Sequence, residues 1–241
     1  MSTDDWQEPP RGAPRALLVV GAALALVAVT VLTVVLTRPG ASDAGTTDGT
    51  AEVPTRTLAL AVPPRLPTVG SLVDVQISHD GDVSVVTWIR SSTPLVQLRL
   101  SMPHVLGLSS AATADRVRVA GDRRFVAGST TVESETQTYT FERPSRVVFV
   151  SYRLLGVAHR RTSVPGLARV RATRLDLGYQ PEGPTFVLLH GATVLSATCL
   201  PHGEAVATPC GAGTVPGSWR VKLRGAHRRD QVQPRVEVRQ G

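Results

Sequence analysis

The stretch SATCLPHGEAVATPCGAG holds the chain's only two cysteines, Cys199 and Cys210, with His202 and Glu204 between them. Residues of these types at this spacing could serve three chemistries. The thiols could oxidise to a staple, C-x2-H-x-E-x5-C could hold zinc, or Cys199 could act as a nucleophile behind Thr198. Structural zinc is usually held by Cys or His at all four positions, often from two separate knuckles, and here one ligand would have to be a carboxylate. No metal and no cofactor are therefore expected.

The nucleophile reading has a family behind it. LSATCLP, Leu195 to Pro201, is similar to the T-C strand end of sortases, the envelope cysteine transpeptidases. Those enzymes combine an N-terminal anchor with a β-barrel, a histidine upstream and an arginine on the next strand. The resemblance implies Cys199 as nucleophile, His159 in VAHRR as general acid/base, and Arg220 as the group stabilising the oxyanion. It covers a few residues only, and Cys210 stands eleven positions past Cys199. Outside the cell a neighbouring thiol traps its partner, so a Cys199–Cys210 disulfide is the expected state and catalysis the alternative.

Other chemistry is sparse. None of the six histidines stands in an H-E-x-x-H pattern, and no G-x-S-x-G, S-x-x-K or glycine-rich phosphate loop occurs. His79, Asp80 and Asp82 crowd together in HDGD, but an Asp-Gly turn requires no cation. Glu133 and Glu135 lie two apart, a spacing that also serves to keep an edge strand soluble.

The compartment follows from the other end of the chain. Ala16 to Thr37 is 22 residues without a charge. At ~1.5 Å per residue it spans ~33 Å, enough for the hydrocarbon core of a bilayer. The apolar run is longer than that of a cleaved signal and no A-x-A follows, so an uncleaved transmembrane signal anchor is expected. Arg11 and Arg15 precede the run and Arg38 follows it, which places residues 1–15 in the cytoplasm as a short tail and the bulk of the chain outside the plasma membrane. Residues 38–57 are small, polar and rich in Pro and Gly, a flexible linker.

Residues 58–241 read as one β-rich domain with a possible seam at 160–166. Val73, Val75 and Ile77 alternate with Asp74 and Gln76, HDGD supplies a hairpin turn, and VSVVTWI runs back. Further strands are expected at 95–101, 115–121, 136–142, 145–155, 167–177, 185–191, 192–199, 218–225 and 235–240, with a short helix at most in HVLGLSSAATAD. Eleven short strands imply an all-β fold, an antiparallel β-sandwich or a partly open barrel, behind a single N-terminal helix.

Charge supplies the remaining candidate. From Thr57 onward 22 basic residues face 13 acidic ones, and all but Lys222 are arginines. In WRVKLR the alternation turns Trp219, Val221 and Leu223 inward and aligns Arg220, Lys222 and Arg224 outward, with Arg228 and Arg229 following. A basic stripe outside a membrane would meet lipid headgroups, anionic wall polymers or another envelope protein. Nucleic acid is not expected there, and ten aromatics make no stacking platform. The sequence thus points to a membrane-anchored envelope protein whose basic domain binds or supports, without catalysis.

Overall fold

The computed structural model describes residues 61–160 and 164–239, so the expected cytoplasmic tail at 1–15, the expected anchor at 16–37 and the expected linker at 38–57 lie outside the described residues. Among the described residues no helix is long and apolar enough to cross a membrane. The only helical element among them is a 3-10 turn at Gly225–Arg229. The fold is all-β, and its two sheets are open rather than closed.

The first hairpin forms as its sequence dictates. Strand β1 (Gly70–Ile77) turns into β2 (Val83–Ser101), with Ser78 N–H donating to the Asp82 carbonyl at 2.8 Å. Gly81 takes φ +95°, a conformation that only glycine adopts without strain.

Expected breaks in two other places turn out to be bends. The segments 83–89 and 95–101 are one 19-residue strand, β2, after which come β3 (Thr113–Gly121) and β4 (Arg124–Val126). The segments 136–142 and 145–155 likewise fuse into the 19-residue β5 (Gln137–Leu155). Pro94 and Pro144 sit where the β2–β5 register shifts, between Arg90 and Gln97. Proline is tolerated there because a bulge leaves its missing N–H unneeded, and the strand bends instead of ending. HVLGLSSAATAD forms turns closed by Leu108 and Ala112 N–H groups and then enters β3, so the short helix expected there is not formed. Gly107 at φ +77° interrupts any helical run.

Strand β3 carries a bulge between Asp115 and Arg118, with Arg116 at φ 53°. Arg153 on β5 pins it through Nε to Asp115 Oδ1 at 3.0 Å and Nη2 to Oδ2 at 2.6 Å. This bidentate pair holds the Asp115 carboxyl below its ordinary value of 3.8. A lowered folded-state pKa contributes stability that is fully present above the unfolded value and is lost as pH falls through the folded one. Urea unfolding of Asp115→Asn should therefore show a shallower loss of stability below about pH 4 than the parent chain. Identical acid limbs would show that the pair contributes nothing.

The chain continues through β6 (Ala158–Arg160) and β7 (Leu167–Val170), which pair with each other across the sequence seam. The expected strand at 167–177 then divides. After β7 the chain leaves one sheet for the other, and β8 (Asp176–Leu177) joins the second half of β2. Strands β9 (Thr185–Gly191), β10 (Val194–Leu200), β11 (Thr208–Pro209), β12 (Ala212–Gly213), β13 (Trp219–Leu223) and β14 (Gln231–Glu237) complete the domain. β14 begins four residues earlier than the alternation at 235–240 suggests.

The larger sheet has the order β12-β13-β9-β1-β2-β5-β3-β4 with β8 beside β2, and the smaller has β11-β10-β14-β7-β6. Pairing is antiparallel except between β1 and β9, which run parallel and correct the expectation of a purely antiparallel fold. One buried core takes side chains from both sheets, among them Val75, Leu154 and Val187 from the larger and Val170, Val232 and Val236 from the smaller. The opposite face of the larger sheet is also apolar in one line. Cross-strand registry aligns Lys222, Phe186, Leu72, Trp88, Phe149, Ala120 and Phe125. Trp88 meets Phe149 edge to face at 5.0 Å, and Leu66 of the entering segment packs on this second cluster.

Candidate functional site

Cys199 and Cys210 are joined in a disulfide with their Cα atoms 5.6 Å apart. Cys199 is buried on β10 opposite Thr208 and Val232, and Cys210 N–H donates to the Ala197 carbonyl at 3.1 Å. The Cys210 carbonyl in turn accepts from Trp219 Nε1 at 3.0 Å, which ties the staple on the smaller sheet to β13 on the larger. Glu204 sits in an exposed turn. Among the described residues no three His, Cys, Asp or Glu side chains converge as metal ligands.

The sortase-like set is not assembled. His159 lies on β6, the far edge of the smaller sheet, with β7 and β14 between it and β10. Registry through Arg169 and Arg235 sets His159 level with Ser196, three residues from Cys199. At ~4.8 Å per strand and ~3.3 Å per residue the two are about 17 Å apart. Arg220 belongs to the other sheet.

The basic residues behave differently. Val221 and Leu223 are buried on β13 while Arg220, Lys222 and, one residue past the strand in extended backbone, Arg224 are exposed, as alternation requires. Lys222 Nζ stands over the Phe186 ring at 5.0 Å, so its stem lies on apolar surface while its charge stays in water. Among the described residues none of these three cations forms an ion pair with a carboxylate. Lys222, Arg224 and Arg228 line a shallow depression of about 400 Å³ with Glu182. That carboxylate accepts from Ser92 N–H at 2.8 Å, and hydrogen bonding first from the Ser92 side chain and then from that N–H holds its pKa below the ordinary range.

Arg228 and Arg229 combine surface and structural roles. Arg228 donates to the carbonyls of Gly225 and Pro181, and Arg229 to that of Tyr179 at 3.2 Å. They clamp the segment 179–181 against the 3-10 turn, which leaves Arg220, Lys222 and Arg224 as the freer cations.

Beneath that clamp lies a cluster the sequence did not disclose. Where the chain crosses between sheets, Ala172, Thr173, Arg174 and Leu175 are buried in succession. Side chains satisfy this irregular backbone: Thr173 donates to the Val232 carbonyl at 2.8 Å, and Tyr152 Oη accepts from Leu175 N–H at 2.9 Å. Burial raises the Tyr152 hydroxyl to about 12, keeping it neutral in its bond. The one sequence signal was that no period-two pattern runs through Thr173–Arg174–Leu175.

No family model matches the chain, and no curated protein matches it. Solved structures give distant similarities. An aminopeptidase N family protein from Idiomarina loihiensis is 14% identical at a TM-score of 0.45, over 69% of this chain and 29% of that one. An M1 zinc metallopeptidase from Deinococcus radiodurans is 14% identical at 0.34, over 69% of this chain and 40% of that one. Yeast LTA4 hydrolase is 6% identical at 0.37, over 71% and 28%. This chain spans less than half the length of each of these proteins.

Proposed function

We propose that this protein is a single-pass, membrane-anchored envelope protein whose basic β-sandwich domain binds an anionic polymer outside the membrane. The anchor rests on the uncharged run at 16–37 and on the basic residues before it. The binding role rests on one observation, Arg220 and Lys222 of β13 and the extended Arg224 just past its end, all exposed and without ion-pair partners among the described residues. Alternate residues of a strand repeat every ~6.7 Å, so Arg220, Lys222 and Arg224 suit repeated negative groups better than a lone ion. The neighbouring depression sets Arg228 beside Lys222 and Arg224, three cations against the one carboxylate of Glu182.

The test uses the full chain in nanodiscs of neutral lipid, offered inorganic polyphosphate or vesicles of phosphatidylglycerol. Affinity for polyphosphate should fall steeply with salt. Changing Arg220, Lys222 and Arg224 to Ser should reduce the slope of log K against log salt by about two, at ~0.7 per lost contact on a single-stranded polyanion. Binding to vesicles in preference to polyphosphate would assign the stripe to lipid headgroups. Unchanged affinity and slope in the triple variant would remove the stripe from the function.

A further inference from the structure

We propose that the cavity around Arg174, at the crossing between the sheets, is a binding site for a small oxyanion, the carboxylate or phosphate group of a soluble ligand. It is a half-open cleft of about 350 Å³ lined by Arg174, Arg99, Arg229, His104, His202 and Tyr179, with Asp176 as its one carboxylate. That volume lies at the lower end of ligand sites, which suits a compact ligand. These residues come from β2, the following turn, the crossing segment, the β10–β11 loop and the 3-10 turn, so only the folded chain unites them.

Arg174 is the core of the inference. It is more than nine-tenths buried, and both of its hydrogen bonds leave from one nitrogen. Nη2 donates to the carbonyls of Arg228 at 3.0 Å and Asp230 at 2.8 Å. Among the described residues Nε and Nη1 make no hydrogen bond to protein, neither is sealed from solvent, and no carboxylate lies within ion-pair distance of the guanidinium. A guanidinium presents five donors in a planar fork, and the edge of this one that borders the cleft is free to take a bidentate acceptor. Burial pushes its pKa down while nearby Tyr152, Asp176, Tyr179 and Asp230 oppose the shift.

A second donor points the same way. Tyr179 lines the same cavity, and its enclosed hydroxyl makes no hydrogen bond of normal geometry, with the Ser71 side chain as its nearest polar neighbour. Burial raises its pKa, so it stays an O–H able to donate. The acidic groups nearby are partly occupied. Asp230 is bonded to His227 Nδ1 at 2.9 Å, and Asp176 accepts from Gln231 Nε2 at 3.4 Å. If Arg174 only clamped the crossing, its Nη2 bonds would suffice. The open edge of its fork, the enclosed phenol and the neighbouring Arg99 are what a ligand explains.

This site is separate from the β13 stripe. The full chain in non-ionic detergent should be titrated with sodium phosphate and with sodium citrate against sodium chloride of matched ionic strength, with melting temperature and calorimetry as readouts. Saturable binding of one of the two oxyanions is expected, and which one saturates identifies phosphate or carboxylate as the ligand group. Tyr179→Phe and Arg99→Gln, which leave the Arg174 clamp intact, should each weaken it about tenfold. The triple Ser variant of Arg220, Lys222 and Arg224 should bind it as the parent does, even where polyphosphate retention is lost. A response no different from chloride, or undiminished affinity in both single variants, overturns the proposal.

Discussion

Replacing both Cys199 and Cys210 by serine should lower the melting temperature by roughly 6–12 °C. The bridge closes a loop of eleven residues, which in the chain-entropy model stabilises the fold by about 3 kcal/mol. For a domain of this length each kcal/mol corresponds to ~2–4 °C. Reducing the parent chain with a phosphine should give a fall of similar size, which separates loss of the bridge from the cost of a hydroxyl at buried position 199. A melt unchanged by either treatment would show that β10, β11 and Trp219 hold the loop without it. Alkylation of the unreduced protein completes the experiment. A rapidly modified Cys199 would reopen the transpeptidase reading, whereas protection in the absence of reductant would leave no nucleophile for it.

Leu154→Ala should cost about 2–5 kcal/mol, the range for emptying a fully buried leucine site. Leu154 is fully buried on β5, level with Val83 on one side and Ala114 on the other. Its neighbours are held in the middle of the larger sheet, where partial collapse into the vacated space is hindered from both flanks. Val96→Ala on β2 is the matched control, because Val96 is 58% exposed and its truncation should fall within ~0.5 kcal/mol. Urea unfolding of both variants measures the contrast, and equal losses would contradict the placement of the core.

Much of this fold was written in local patterns. The alternation at 72–78, the Asp-Gly turn and the inward Val221 and Leu223 are properties of neighbouring residues, which side-chain period and turn chemistry express directly. The cysteine pair was legible for a similar reason, since eleven intervening residues of loop character can fold back. What sequence concealed depends on distant partners. Pro94 and Pro144 signal a break locally, yet each sits at a bulge that the opposite strand accommodates. The segment 172–175 looks like more strand because nothing nearby shows that Val232 and Tyr152 will satisfy its polar groups. Five basic residues near the C-terminus were visible as a stripe, but the cavity drawing on Arg99, His104, Arg174 and His202 has no spacing that announces it.

The parallel pairing of β1 with β9 sets a schedule for folding. β1 finds β2 within a few residues, but its other edge joins a strand whose partner residue is 114 positions later, as Ser71 and Thr185 show through their 2.9 Å hydroxyl contact. At synthesis rates of ~5–20 residues per second that edge stays open for roughly 5–25 s. During this interval an emerging hairpin presents Val73, Val75 and Ile77 with unpaired backbone groups, the template on which chains aggregate. The central strand of the finished sheet is thus an edge strand throughout its own biosynthesis, and shielding β1 becomes a task for whatever receives the nascent chain.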